Sequence, residues 1–186
     1  MRTRLIDLDR DFDLGISEGA KLIKAGEVVA FPTETVYGLG ANGLDKGALA
    51  KIFAAKGRPA DNPLILHVSD ISEVGALAVI NDKAKQLMDA FWPGPLTIIM
   101  EKKSIVPYAA TANLPTVGIR MPKNKGALAL IRASGLPIAA PSANISGRPS
   151  PTAAAHVLHD LEGRIPLVLD GGSCKWGLES TVLTIV

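Results

Sequence analysis

The chain has 186 residues, 47% hydrophobic and 20% charged, which is enough apolar material for a buried core and excludes a disordered chain. Its net charge of +2 is too small to attract nucleic acid by bulk electrostatics, so any anion site must come from local placement of cations. The single cysteine, Cys174, excludes an intramolecular disulfide or a cysteine zinc cluster; no stretch of about 18 apolar residues spans a bilayer, and the charged Met1–Arg10 segment lacks an apolar signal core, so a cytoplasmic protein is expected.

Ile16, Gly19, Ala20 and Ile23 recur at helical spacing and predict a helix ending at Gly26, with Gly19 marking a close packing contact. Residues 27–31 read as a short strand stopped by Pro32. Thr33 to Gly40 is rich in hydroxyls and ends in glycines, a strand-end loop leading into a further extended piece. Its threonines either express ordinary β-propensity or set a row of hydroxyls at the mouth of a sheet. Asp45 caps the next helix, whose apolar stripe is Leu49, Ile52 and Phe53. Lys56 falls on the same stripe and must snorkel or find a partner. Gly57 releases the backbone, Arg58 follows, and a Pro-bounded turn leads to a buried strand from Leu64 to Val68. Two cations between two packed elements suit a polyanion; the alternative is that they only complement the helix dipole.

A short helix is expected from Ser72 to Ile80 and a clearer one from Asp82 to Phe91, with Ala84, Leu87, Met88 and Phe91 in register. Trp92-Pro93-Gly94-Pro95 ends it, with Trp92 as core filler before a strand at 96–100. Residues 104–114 read as loop. Thr116 to Pro122 is a strand with Arg120 near its C-terminal end, where α/β proteins hold ligands; Arg120 is either a bidentate anion contact or a surface arginine on an edge strand. A small helix from Gly126 to Ala133 closes at Gly135, and a strand at 136–140 feeds the most polar loop, Pro141 to Thr152. Its Ser, Asn and Thr residues are expected to cap the following helix (Ala154, Val157, Leu158, Leu161), a geometry that also makes a phosphate cradle, although no Walker-type pattern is present. His156 and His159 lie on the solvent side of that helix without a third metal ligand in view. Strands at 165–170 and 179–186 complete an α/β pattern, a mixed twisted sheet with packed helices.

No Ser-His-Asp set and no close carboxylate pair is apparent, and Cys174 has no local base. Instead, cations (Lys56, Arg58, Arg120, Arg148) and hydroxyl or amide groups (Thr35, Asn62, Ser142, Asn144, Ser150, Ser180) sit at loops and strand ends. Such groups position anions and stabilise developing negative charge, the inventory of nucleotidyl transfer assisted by Mg²⁺. The residues alone therefore point to a polyanionic small molecule such as a nucleotide.

Phe31-Pro32-Thr33-Glu34-Thr35-Val36-Tyr37-Gly38-Leu39-Gly40, Lys56-Gly57-Arg58-Pro59, Asn62-Pro63-Leu64, Trp92-Pro93-Gly94-Pro95-Leu96-Thr97, Ala140-Pro141-Ser142-Ala143-Asn144-Ile145-Ser146-Gly147 and Glu179-Ser180-Thr181-Val182 occur in one order from about Gly26 to the C-terminus. The set closely resembles the YrdC-like family of L-threonylcarbamoyladenylate synthases. The resemblance implies a single YrdC-like domain over residues 1–186, with a twisted, concave mixed β-sheet, flanking helices and a positively charged cavity. It implies that L-threonine, bicarbonate and ATP give threonylcarbamoyl-AMP and pyrophosphate with Mg²⁺, and that a separate transferase complex passes the product to tRNA; weak tRNA binding by the chain itself is compatible with it. By the same resemblance Lys56 and Arg58 are catalytic phosphate ligands, with Asn62, Thr116, Ser142, Asn144 and Ser150 as further ATP contacts. Thr35, His67, Arg120, the backbone at Ala140, and Ser180 form the threonine pocket. Longer family members continue past the Ser-Thr-Val block. Two alternatives stand beside this reading: a carbamoyl-adenylate-forming carbamoyltransferase domain, and an RNA-binding module that uses a basic cavity.

Overall fold

The computed structural model describes residues 1–59 and 61–186. Among them, nine strands form one mixed sheet: β1 (Arg4–Asp7), β2 (Val29–Phe31), β3 (Gly38–Asn42), β4 (Ile65–His67), β5 (Leu96–Glu101), β6 (Thr116–Arg120), β7 (Ile138–Ala139), β8 (Leu167–Asp170) and β9 (Thr181–Thr184). Their order across the sheet is β1-β8-β2-β3-β7-β4-β6-β5-β9. The helices are α1 (Phe12–Lys24), α2 (Lys46–Lys56), α3 (Val74–Leu77), α4 (Asp82–Phe91), α5 (Lys125–Ser134) and α6 (Ala154–Leu161). Local chemistry sets several ends. The Asp45 carboxylate accepts the Gly47 and Ala48 N–H groups at the start of α2, and Gly57 takes a left-handed conformation (φ 61°) that only glycine adopts cheaply. Asn81 and Asn124 cap α4 and α5 in the same way.

The helices cover the two faces of the sheet unequally. Ile16, Ala20 and Ile23 of α1 and Ala127, Leu130 and Ile131 of α5 pack on Val29, Phe31, Ile138, Leu167 and Leu169. A Cβ on Gly19 would lie 2.8 Å from Leu130 Cδ1, so the missing side chain lets α1 approach α5. The opposite face carries α2, α4 and α6, through residues such as Leu49, Ile52, Met88, Val157 and Leu161, packed with Leu39, Leu66, Ile98, Met100, Val117 and Ile119.

Register then shows what is left open. His67 pairs with Ile138 on one side and Arg120 on the other, Ile65 pairs with Gly118, and Gly118 pairs with Ile99. Paired residues share a face and successive residues alternate. His67, Arg120, Gly118, Thr116, Ile99 and Thr97 therefore lie on the face that α1 and α5 cover farther along the sheet. Over β4, β6, β5 and β9 that face is the floor of a cavity.

Several sequence expectations change. The helix expected from Ser72 to Ile80 is a 3₁₀ turn at Ile71–Glu73 followed by the short α3; Asp70 caps the turn through Ser72 N–H, and Ala78 leaves the helix to bridge Lys102. The loop at 104–114 contains a 3₁₀ turn, Tyr108–Ala110. The strand expected at 136–140 pairs only as Ile138–Ala139. β1 was not anticipated: it pairs with β8 at the sheet edge, and its charged ends hide its periodicity. Arg120 is neither at an edge nor on the surface, because β6 lies between β4 and β5 and the residue is buried. The N-cap of α6 is Ala153, with no side-chain cap, so the polar residues before it are spent elsewhere.

Candidate active site

Two connected compartments occupy the bare sheet face. The larger, about 410 Å³, is lined by Arg58, Asn62, Thr97, Thr116, Gly118 and Ser142 among others. The smaller, about 80 Å³, is lined by Thr35, His67, Arg120 and Ser180 among others. Ile65, Ala140, Pro141, Ser142 and Glu179 line both and form the seam. The larger volume is ordinary for a small-molecule pocket.

Arg120 organises the small compartment. Its Nε donates to Gly94 O (3.2 Å) and its Nη1 to Thr35 Oγ1 (3.1 Å), while Nη2 stands 2.6 Å from Glu34 Oε1. Both members of this ion pair are buried, their side chains 5% and 7% exposed. The approach is close but poorly aligned as a hydrogen bond, and each terminal nitrogen keeps a hydrogen for another acceptor. Thr33 Oγ1 fixes the loop itself: it accepts the N–H groups of Thr35 and Val36 and donates to Val36 O at 2.6 Å. The hydroxyl row of the sequence is thus split, with Thr33 shaping the turn and Thr35 facing Arg120. His67 Nδ1 lies 3.3 Å from Ile138 O, an acceptor, so that nitrogen carries the proton. Burial first, and the Arg120 charge second, lower its pKa to about 3, which keeps the ring neutral. Ser180 Oγ is held by Thr97 Oγ1 at 2.8 Å.

Lys56 finds the partner its position demands. It is fully buried, and its ammonium donates to Ser142 O, to Asn144 O (2.6 Å) and to Asn144 Oδ1 (3.3 Å). All three N–H bonds are used. Asn144 in turn donates both amide hydrogens, to Ile145 O and Arg148 O, and Ser146 N–H donates to Lys56 O. The pair clamps the loop that follows β7 to the end of α2. Burial, and then the Arg58 charge, lower the Lys56 pKa to about 8. Arg58 is half-buried, makes long contacts of 3.4–3.5 Å to Pro63 O and Asn62 O, and has a buried Nε with no partner among the described residues. It is the cation presented to the larger compartment.

Three loops are stitched around this floor by backbone bonds: Tyr37 N–H to Pro151 O, Ala143 N–H to Tyr37 O, Trp176 N–H to Glu34 O and Gly177 N–H to Thr35 O. The Tyr37 hydroxyl donates to Gly172 O at 2.7 Å. Of the residues singled out in the sequence, Arg58, Asn62, Thr116, Ala140 and Ser142 line the large compartment and Thr35, His67, Arg120, Ala140, Ser142 and Ser180 the small one. Lys56 and Asn144 lie behind the wall. Ser150 lines neither compartment and donates to the Glu179 carboxylate. Arg148 pairs with Asp160 at 2.6 Å instead of facing the cavity. Burial pushes the Cys174 thiol up to about 11, which suits an inert position. Glu34, Thr97 and Glu179 join the site only in the structure. Glu34, a carboxylate between two threonines in an otherwise uncharged buried stretch, carried a local signal; Thr97 and Glu179 enter only through pairing with distant elements.

Residues 21–186 match the model of the Sua5/YciO/YrdC family, described as "Telomere recombination". The chain belongs to this family. It is 58% identical over 174 residues to the threonylcarbamoyl-AMP synthase of Bacillus subtilis, covering 92% of this chain and 50% of that protein. It is 54% identical over 167 residues to the Pyrococcus abyssi threonylcarbamoyl-AMP synthase, covering 89% and 49%. The crystal structure of P. abyssi Sua5 complexed with L-threonine superposes with a TM-score of 0.96 at 51% identity, over 98% of this chain and 54% of that one. The chain thus spans about half the length of these relatives. Among the described residues, no helix is long and apolar enough to cross a membrane.

Proposed function

We propose that this Sua5/YrdC-family domain binds L-threonine in the small compartment and ATP in the large one. It would join threonine, bicarbonate and ATP into threonylcarbamoyl-AMP with release of pyrophosphate, as a nucleotidyltransferase. The product would then pass to a separate tRNA-modifying transferase. The observation that carries this reading is the seam: a pocket built on a buried arginine opens directly into one edged by a partly buried arginine.

The chemistry follows from the groups present. Arg120 keeps a hydrogen on each terminal nitrogen for a carboxylate, while Glu34 offsets its charge when no substrate is bound. His67, kept neutral by burial, lines this compartment and is the ring that would meet the threonine hydroxyl. A site that must satisfy that hydroxyl rejects valine more strongly than serine. Bicarbonate takes the proton of the threonine ammonium and breaks down to CO₂ and water; the freed amine then adds to CO₂ and releases one N–H proton to solvent, leaving the carbamate. A carbamate oxygen attacks the α-phosphorus of ATP as the bond to pyrophosphate breaks. Arg58 and the loop clamped by Lys56 hold the phosphates in line, and no protein nucleophile is required. The donor set around the large compartment is hydroxyls, an amide and one carboxylate. That suits a Mg²⁺ carried in on the triphosphate, with the Ser142 and Thr116 hydroxyls beside it, better than a cation in an all-protein cage. When bound, Mg²⁺ would offset charge on the leaving pyrophosphate.

Titration calorimetry of an Arg120→Met variant tests the division of the site. L-Threonine binding should fall at least tenfold with ATP binding within about twofold, on the magnitude of a charge-assisted pair. Equal loss of both ligands, or loss of neither, would refute the assignment of compartments.

A further inference from the structure

Threonine is a zwitterion, and Arg120 and His67 meet only its carboxylate and hydroxyl. Its ammonium needs an acceptor. The cation there, Arg120, is already matched by Glu34, so the cavity has no spare negative charge from that pair. Glu179 is the single acidic residue lining either compartment among the described residues, and it lines both. Its carboxylate is held in place by the Ser150 hydroxyl, and its neighbour Ser180 is held by Thr97. Two separate elements, the 141–152 loop and β5, thus fix the Glu179–Ser180 pair at the mouth of the pocket.

We propose that Glu179 is a specificity-determining contact that accepts the α-amino group of the amino-acid substrate at the seam. This rests on the reading of the small compartment as an amino-acid site. The position is the one the chemistry needs. The amine is the atom to be carbamoylated, and its product must reach the phosphates in the adjoining compartment. Arg120 and Glu179 hold opposite ends of the amino-acid backbone, so the α-carbon is fixed and the amine faces the seam. A single carboxylate with, among the described residues, no cluster of three His, Cys, Asp or Glu near it favours an ammonium over a protein-held metal. Ser150, by the same geometry, is a positioning residue for Glu179.

The test compares ligands that differ only in the amine. L-Threonine, its des-amino analogue 3-hydroxybutyrate, and ATP are titrated into the wild-type chain and into Glu179→Gln, Glu179→Asp and Ser150→Ala. Glu179→Gln should weaken L-threonine by roughly tenfold or more, as expected for loss of a charge-assisted bond. It should leave 3-hydroxybutyrate within about twofold, and any change in ATP, titrated without Mg²⁺, should be smaller than the change in L-threonine. Glu179→Asp keeps the charge and should recover part of the loss, and Ser150→Ala should give a smaller loss confined to threonine. If Glu179→Gln leaves threonine unchanged, weakens threonine and its analogue equally, or weakens ATP alone, the proposal is wrong. A wild-type chain that binds no L-threonine would instead overturn the amino-acid site itself. Glu179 is exposed, so folding of the variants is expected and is checked by thermal unfolding.

Discussion

Replacing Lys56 with methionine keeps the stem and removes the ammonium, and the direction of the stability change separates two roles. In the structure the ammonium satisfies three oxygens, Ser142 O, Asn144 O and Asn144 Oδ1. Leaving a buried acceptor bare costs about 1–3 kcal/mol each. Against that stands relief from burying a charge. Lowering the pKa from 10.5 to about 8 corresponds to roughly 3 kcal/mol at about 1.4 kcal/mol per pH unit. Three bare acceptors cost about 3–9 kcal/mol, so the balance is a loss centred on about 3 kcal/mol, a fall in Tm of roughly 6–12 °C for a domain of this size. Thermal unfolding by circular dichroism reads this, with ATP titration alongside. ATP affinity should fall with stability, because the unclamped loop carries Ser142 away from the larger compartment. Arg58→Met is the comparison: Arg58 is half-buried and makes only long contacts, so ATP affinity should drop tenfold or more with Tm nearly unchanged. An unchanged or raised Tm for Lys56→Met, together with lost ATP binding, would refute the clamp. It would mean that the ammonium is held in reserve for phosphate, because removing an unpaired buried charge stabilises a fold.

Glu34→Gln should lower stability by about 3 kcal/mol, since it strands the buried Arg120 charge, and L-threonine should then raise Tm more in the variant than in the wild type by supplying the missing carboxylate; equal shifts would contradict this. For Lys56 the two pH effects have opposite signs. Its folded pKa of about 8 lies below the ordinary 10.5, so the unfolded chain holds more protons between these values and stability rises with pH there, whereas ATP affinity should fall from pH 7 to 9 as the clamp loses its charge. Lys56→Met should flatten both profiles. His67 behaves differently: its folded pKa of about 3 lies below the free value of 6.5, so below about pH 6.5 the unfolded chain gains a proton that the folded chain refuses, and stability falls toward pH 3. Denaturation midpoints of His67→Gln should depend less steeply on pH over that interval.

Elements with a strong local rule were legible in the sequence. The Asp45 cap, the Leu49–Ile52 stripe and Gly57 define α2 to the residue, and Lys56 on that stripe must snorkel or find a partner, of which the structure shows the second. The apolar run from Thr116 to Pro122 places Arg120 near a strand end, although strand order alone decides that β6 is internal. Beyond this the signal is non-local. Nothing within Arg4–Asp7 marks a strand, because its pairing with β8 lies more than 160 residues away in the chain. The polar residues of the 141–152 loop read as helix caps because capping is the local default. Their actual partners, Lys56 and Glu179, come from α2 and the segment before β9. Glu34 belongs to a recognisable motif, but only the packed β6 reveals that it balances Arg120.

The most direct measurement is pyrophosphate release from ATP and bicarbonate with Mg²⁺ by this chain, with and without L-threonine, the products followed by mass spectrometry. The two-compartment account predicts release that depends on threonine and is matched by threonylcarbamoyl-AMP. Release that ignores threonine, or none from a chain that binds both ligands, would contradict it.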